Sequence, residues 1–273
     1  MHDRQRGKGL NAAIFDWGGT VVDYGCRAPA AALVEAFNLR GVTVTIEQAR
    51  EAMGVNKRVH LEMISKLPAV ADQWMRVHGR ACDNRELDAL FEQFLSRLDG
   101  YICTYADLIP GTQQTIGACR DQGMKIGSSS GYSRSTMDVL QEKARKNGFE
   151  PDAVVCGDEV PAGRPEPWMC LANAQALRVF PLDAIVKVGD TVSDIAAGRN
   201  AGMWTIGVAK TSSVMGLGED EIAALPQPEY RQRLDRVYQT LNEAGADYVV
   251  DTIADIAPCL DQINHRLASG EKP

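Results

Sequence analysis

The sequence predicts an α/β fold: a doubly wound, mostly parallel, Rossmann-like sheet with an all-helical segment inserted after its first strand. Three observations carry this. Ala12-Ala13-Ile14-Phe15 is a continuous apolar run that stops at Asp16, followed by Gly18 and Gly19. A strand buried on both faces reads as such a run rather than as an alternation. From about Pro29 to Leu98 every periodic stretch is helical, and from Pro110 helix and strand patterns alternate, the order that builds a parallel sheet.

The elements follow in order. Residues 11–15 form the first strand. A helix from Ala31 to Arg40 has Leu33 and Phe37 at i, i+4 and ends at Gly41. Thr45-Ile46-Glu47-Gln48 is a capping box that opens a short helix ending near Met53-Gly54. The next helix runs through Lys57, His60, Leu61 and Ile64 and halts before Pro68. A fourth covers about Ala69 to His78. Asn84 caps a long helix with Leu87, Leu90, Phe91, Phe94, Leu95 and Leu98 on one face. Beyond Pro110 the pattern gives a helix over 111–121 and a strand over 124–127 ending in Ser128-Ser129-Ser130. A helix capped by Ser133, a strand over 153–156 and a helix from Trp168 follow. Then come a strand over 185–188, a helix to Asn200 and a strand over 204–208. Residues 217–244 read as polar helix that could cover a sheet edge. A short strand over 247–250 and a terminal helix close the chain. The expected division is a core of residues 1–24 and 106–273 with a helical domain over 25–105.

Composition narrows the function. The chain has 273 residues, 45% hydrophobic and 24% charged, with net charge -7. That acidity argues against a general nucleic-acid partner, which needs a basic surface. No apolar run approaches membrane-spanning length, and the polar, basic first ten residues do not resemble a signal peptide. Seven cysteines at wide spacing, with no C-x-x-C pair, suit a reducing cytoplasm rather than a zinc site or disulfide framework.

Four strand ends carry polar residues: Asp16, the serine run ending at Ser130, the loop holding Arg164, and Asp190 with Asp194. A parallel sheet opens all four on one edge, where open α/β sheets bind ligands. Asp16 and Asp190 could share Mg²⁺, which takes hard oxygen ligands and keeps waters and a phosphate. Asp194 could equally be a helix-start carboxylate favoured by the dipole. Ser130 and nearby backbone can hold phosphate oxygens, and Arg164 can neutralise a phosphoryl group.

Asp16-Trp17-Gly18-Gly19-Thr20, Ser130, Arg164 and Gly189-Asp190-x-x-x-Asp194 resemble, in order, the four motifs of the haloacid dehalogenase superfamily of phosphotransferases. The helical insert resembles that superfamily's cap domain. The resemblance implies Asp16 as a nucleophile that forms an aspartyl-phosphate. One position departs from the pattern. Phosphatases of the superfamily carry a second Asp two residues after the nucleophile, to protonate the departing alkoxide; here that residue is Gly18. Such acid help contributes roughly 10²–10⁴-fold in rate. Either the leaving group is not an alkoxide or the protein is impaired; a carbon leaving group would explain the gap, because breaking a C–P bond needs an electron sink, and a lysine imine on an adjacent carbonyl supplies one. Lys57 is a candidate, with His60 beside it at i, i+3 and Gly54 permitting a break just before.

Residues 53–60 also resemble the cap segment of the phosphonoacetaldehyde hydrolase family. So do residues 16–26, Gly131-Tyr132-Ser133-Arg134, 160–170 and Lys187-Val188-Gly189-Asp190-Thr191-Val192-Ser193-Asp194. The likeness runs to about Gly207. It implies hydrolysis of phosphonoacetaldehyde to acetaldehyde and phosphate, within breakdown of 2-aminoethylphosphonate. On that basis Lys57 forms the imine and Asp16 attacks phosphorus. Mg²⁺ is held by Asp16, the Gly18 carbonyl and Asp190, with Asp194 a further ligand or orienter. Ser130 and Arg164 hold the phosphonate, His60 shuttles protons through water, and Tyr132, Met53 and Cys26 shape the pocket. The family likeness further implies a cytoplasmic homodimer; Leu33 and Phe37 could serve its interface or equally the bundle core. A phosphate-ester phosphatase or phosphomutase is disfavoured by Gly18, and a dehalogenase has no use for the Asp16/Asp190 pair. A non-catalytic phosphate-binding module has no use for Lys57.

Overall fold

The structure is a computed structural model that describes residues 9–51 and 57–273. Met53 and Gly54, both singled out by the sequence, lie outside the described residues. Six strands form one sheet: β1 (Ala12–Phe15), β2 (Lys125–Ser130), β3 (Ala153–Cys156), β4 (Ile185–Gly189), β5 (Trp204–Val208) and β6 (Tyr248–Val250). Their spatial order is β3-β2-β1-β4-β5-β6 and every pairing is parallel. This is the doubly wound sheet that the alternating pattern predicts.

All four β1 side chains are fully buried, because helices cover both faces. Ala13 and Phe15 point into a core with Ile116 and Cys119 of α6 (Thr112–Asp121), Met137 and Leu140 of α7 (Arg134–Lys146), and Leu260 and Ile263 of α12 (Ala257–Ala268). Ala12 and Ile14 point the other way, towards α8 (Trp168–Leu177) and α9 (Val192–Asn200). The chain builds β2 and β3 on one side of β1, then returns to build β4, β5 and β6 on the other. The crevice of such a sheet opens where this order reverses, between the ends of β1 and β4.

Between β1 and β2 lie α1 (Arg27–Asn38), α2 (Ile46–Arg50), α3 (Lys57–Ser65), α4 (Pro68–His78) and α5 (Asn84–Tyr105). Leu33 and Phe37 of α1 are fully buried with Leu90, Phe94 and Leu98 of α5. Phe37 meets Trp74 edge to face at a 6.2 Å centroid distance. Of their two possible uses, these residues serve the bundle core. The long helix is capped one residue earlier than the pattern suggests: Asp83 has extended φ/ψ and accepts the Glu86 N–H at 3.0 Å, leaving Asn84 in the first turn. The capping box at Thr45 and Gln48 forms as predicted.

Two other boundaries move for physical reasons. The serine run is part of β2, since β1 and β3 pair with it on both sides. Residues 217–244 form α10 (Glu219–Ala224) and α11 (Gln227–Glu243), and the apolar stripe of α11, Val237 and Leu241, packs on Ile195, Ala209 and Met215.

Helix α1 begins at Arg27, four residues earlier than predicted, because Asp23 upstream holds its first turn. The Asp23 carboxylate accepts the N–H groups of Arg27 at 2.8 Å and Ala28 at 2.9 Å. Its own N–H donates to the Asp107 carbonyl at 3.3 Å, and Val22 bridges to Leu108. The two chain crossings between sheet and bundle are thus tied together. Burial raises the Asp23 pKa from 3.8 to about 6 against the two N–H bonds and the charges of Arg27 and Arg50. The folded chain therefore holds a proton that the unfolded chain has lost. The associated stability is complete below pH 3.8 and disappears as pH rises through about 6. Asp23→Asn should remove this slope, on the order of 3 kcal/mol. Urea denaturation between pH 4 and 7 checks it: parallel stability curves for the two proteins would refute the assignment.

Candidate active site

The register of the two central strands builds the site. Phe15 pairs with Val188, and the Asp16 N–H donates to the Val188 carbonyl at 2.9 Å. Asp16 and Asp190 therefore leave the sheet side by side. Asp194 joins them from the first turn of α9, where Thr191 is the N-cap and its hydroxyl accepts the Asp194 N–H. Carboxylate oxygens of Asp16, Asp190 and Asp194 lie within 4.8 Å of one another, and all three residues are at most 5% exposed.

Three buried carboxylates need compensation. Arg164, in the loop before α8, supplies it twice: Nη2 lies 2.7 Å from Asp16 Oδ1, and Nη1 bonds Asp194 Oδ1. Lys187 of β4 is fully buried and its Nζ lies 2.8 Å from the same Asp194 oxygen. Thr191 donates its hydroxyl to Asp194 Oδ2 at 2.6 Å. Asp190 Oδ2 accepts the Ser213 N–H at 2.7 Å.

The three acids consequently differ. Burial raises the pKa of Asp16, with Asp194 adding to the rise and Arg164 and Lys187 opposing it. Asp190 is raised well above the usual carboxylate range by burial, then by the charges of Asp16 and Asp194. Asp194 is equally buried, but Arg164 and Lys187 bring it below that range.

Asp190 Oδ1 is buried and has no hydrogen-bond partner among the described residues. An orphaned carboxylate oxygen beside a second carboxylate fits a hard divalent cation. Asp194 has both oxygens engaged by Arg164, Lys187 and Thr191, so its donor set suits orienting Arg164 better than ligating a metal.

Near Gly18, a Cβ would sit 3.1 Å from the Cys26 sulfur and 3.9 Å from the Tyr132 hydroxyl. The space beside the missing acid is thus taken by Cys26, the left-handed N-cap of α1. Its thiol pKa is raised well above normal by burial and by Asp23, Asp190 and Asp16 against Lys57, so it packs as a neutral group. Burial and neighbouring acids likewise push up the Tyr132 phenol. Ser130 is buried at the end of β2, and its hydroxyl accepts the Tyr132 N–H at 3.1 Å.

Lys57, the first residue of α3, comes over this edge. Burial lowers the pKa of its amine and the Arg164 charge lowers it further, while Cys26, Asp190 and Asp16 oppose. Asp16, Asp190, Arg164, Cys26 and Lys57 are thus within one another's electrostatic reach. His60, one turn on, is fully buried, and burial and the Lys57 charge push its pKa down to about 3. Its ring is a neutral imidazole in the interior, one turn from Lys57. Arg58 turns away and pairs with Asp88 at 2.7 Å.

Three supporting residues escaped the sequence reading. Lys187 had a visible signal, a charge in the middle of an apolar strand. Thr191 had one too, standing three residues before Asp194 in a capping pattern. Ser213 had none, because only the tertiary structure brings its loop to Asp190.

The family model for haloacid dehalogenase-like hydrolases matches residues 10–202, and a second hydrolase-like model of that group matches residues 161–244. The chain is 44% identical over 264 residues to a phosphonoacetaldehyde hydrolase of Syntrophobacter fumaroxidans, covering 97% of this chain and 95% of that one. It is 41% identical over 254 residues to a phosphonoacetaldehyde hydrolase of Bacillus cereus, covering 93% and 96%. Among solved structures, a phosphonoacetaldehyde hydrolase-like protein from Oleispira antarctica matches with a TM-score of 0.92 at 33% identity, covering 100% of this chain and 99% of that one.

The unsatisfied Asp190 oxygen leads to a direct expectation. Titration calorimetry should detect Mg²⁺ binding to the unmodified protein. Asp190→Asn should weaken it by roughly 10²-fold, the upper range for losing a metal-site group; unchanged affinity would place the cation elsewhere.

Proposed function

Because the chain belongs to the haloacid dehalogenase-like hydrolases, we propose that it hydrolyses the carbon–phosphorus bond of phosphonoacetaldehyde, giving acetaldehyde and phosphate, in 2-aminoethylphosphonate degradation. One observation carries the reading. A lysine amine of lowered pKa feels the charges of the buried aspartates Asp16 and Asp190, while the place of an ester phosphatase's acid is Gly18, backed by Cys26.

In this reading the division between a core of residues 1–24 and 106–273 and a cap of residues 25–105 is functional: the core handles phosphorus and the cap handles carbon. Lys57 attacks the aldehyde carbon in its neutral form, which burial favours, and releases water to give an imine. Asp16 attacks phosphorus. The C–P electron pair moves into the protonated imine and leaves an enamine, while phosphorus stays on the Asp16 carboxylate. Water then releases phosphate from Asp16; protonation at carbon and hydrolysis return acetaldehyde and free Lys57.

The remaining residues bind and orient. Arg164 and Ser130 hold the phosphonate oxygens, and Asp194 orients Arg164. Cys26 and Tyr132 line the pocket as neutral groups, and His60, one turn after Lys57, shuttles protons through water. Asp16, Asp190 and the Gly18 carbonyl would hold Mg²⁺, which when bound offsets phosphoryl charge. A cytoplasmic homodimer completes the reading; the seven free cysteines support the compartment, and the dimer is carried over from the family resemblance.

Borohydride added during turnover should reduce the imine and leave a mass adduct on Lys57. Lys57→Arg and Asp16→Ala should each lower kcat/KM by roughly 10⁴-fold or more. An unlabelled Lys57 with activity intact in Lys57→Arg would sink the imine mechanism. Turnover of sugar phosphates without turnover of phosphonoacetaldehyde would favour the phosphatase reading.

A further inference from the structure

Lys187 has no part in the chemistry above, yet its long side chain is fully buried. It occupies the middle of β4, between Ile14 and Thr205 of the neighbouring strands. A charge there is tolerated only if it is paired. Its stem lies against α9 at Gly198, where a Cβ would come within 2.9 Å of the Lys187 Cβ. Its Nζ donates to the Val188 carbonyl at 3.0 Å and lies 2.8 Å from Asp194 Oδ1. That oxygen also accepts Arg164 Nη1, while Arg164 Nη2 reaches Asp16.

The arrangement is a relay of charge running from Lys187 through Asp194 and Arg164 to Asp16. We propose that Lys187 is a positioning residue: by sharing Asp194 it keeps Arg164 turned towards Asp16 and the phosphoryl group, instead of drawn wholly into a pair with Asp194. Asp194 is fully buried, and its Oδ1 meets both Arg164 and Lys187. With Arg164 as its sole cation it would hold both arms of the guanidinium in the bidentate geometry that carboxylates favour. Lys187 satisfies one direction of that oxygen from within the sheet, and Thr191 satisfies the other oxygen. One arm of Arg164 is left for the anion. Lys187 never touches substrate and acts only through Asp194.

This inference rests on the proposed role of Arg164 in holding the phosphonate, so its test reads anion binding separately from turnover. Inorganic phosphate binding with Mg²⁺ present is measured by calorimetry on the full chain. Lys187→Met keeps the buried stem and removes the charge. It should weaken phosphate about tenfold, the scale of one charge-assisted hydrogen bond, and raise KM for phosphonoacetaldehyde more than it lowers kcat. If Lys187 acts only through Asp194, its removal should matter little once Asp194 is neutral. Asp194→Asn and the double variant Lys187→Met/Asp194→Asn should then bind phosphate within about threefold of each other.

A folded Lys187→Met protein that binds phosphate like the unmodified protein overturns the proposal. So does a double variant that binds about tenfold more weakly than Asp194→Asn, and that comparison decides the matter even if Lys187→Met alone does not fold. Absence of measurable phosphate binding by the unmodified protein also overturns it. Turnover is followed in parallel: a protein inactive on phosphonoacetaldehyde loses the proposed substrate, while the phosphate comparison still judges Lys187.

Discussion

Three carboxylates confined within 4.8 Å in a buried crevice are the constraint on which this structure depends. Like charges so close and so dry repel strongly, and the fold meets the repulsion with directed partners. Arg164 bridges Asp16 and Asp194, Lys187 reaches Asp194 from inside the sheet, and backbone N–H groups complete the set. Arg164 and Lys187 stand against the three acids, and among the described residues one oxygen of Asp190 has no hydrogen-bond partner. The free oxygen beside a second carboxylate suits a hard cation; burial first, with neighbouring carboxylates adding to it, raises the pKa of Asp16 and Asp190.

The backbone is shaped to let this cluster exist. Gly19 has φ of +81°, and a Cβ there would stand 2.6 Å from Asp190 Oδ2; the turn after Asp16 therefore needs a residue free to take the left-handed region without a side chain. Gly189 brings β4 against Asp194, since its Cβ would fall 2.4 Å from that of Asp194. The Thr211 hydroxyl donates to the Gly19 carbonyl at 2.6 Å and Ser213 reaches Asp190, so the loop after β5 fixes the same turn from the opposite side. A turn held this way presents Asp16 in one orientation.

The bundle adds what the sheet edge lacks. In the proposed mechanism Asp16 as nucleophile and Arg164 as anion holder would serve any phosphoryl transfer, and Gly18, backed by Cys26, stands where an ester phosphatase would carry its acid. Lys57 enters from α3, close enough to the cluster for the charges of Asp16, Asp190 and Arg164 to act on it. Asp23 ties the two chain crossings together, so the helical bundle is held to the sheet where the chain enters it and where it leaves.

Much of the fold was legible in the chain. The apolar run before Asp16, the alternation after Pro110 and the Thr45 capping box reflect local burial and local hydrogen bonding, and they appear where expected. Boundaries moved where a partner distant in sequence intervened: β2 runs through the serines because strands flank it, and α1 starts early because Asp23 reaches forward to cap it. Leu33 and Phe37 show the same limit, since an apolar pair at helical spacing looks alike whether α5 or another molecule covers it. For the site, residue types at the strand ends marked Asp16, Ser130, Arg164 and Asp190 as candidates, and the family resemblance made the absent acid at position 18 visible and singled out Lys57. Which of the three acids is left short of partners, that the Cys26 sulfur backs Gly18, that His60 is shut in the interior and that Lys187 pairs with Asp194 were decided only by tertiary structure. Burial and charge pairing are sums over neighbours that the chain order does not contain.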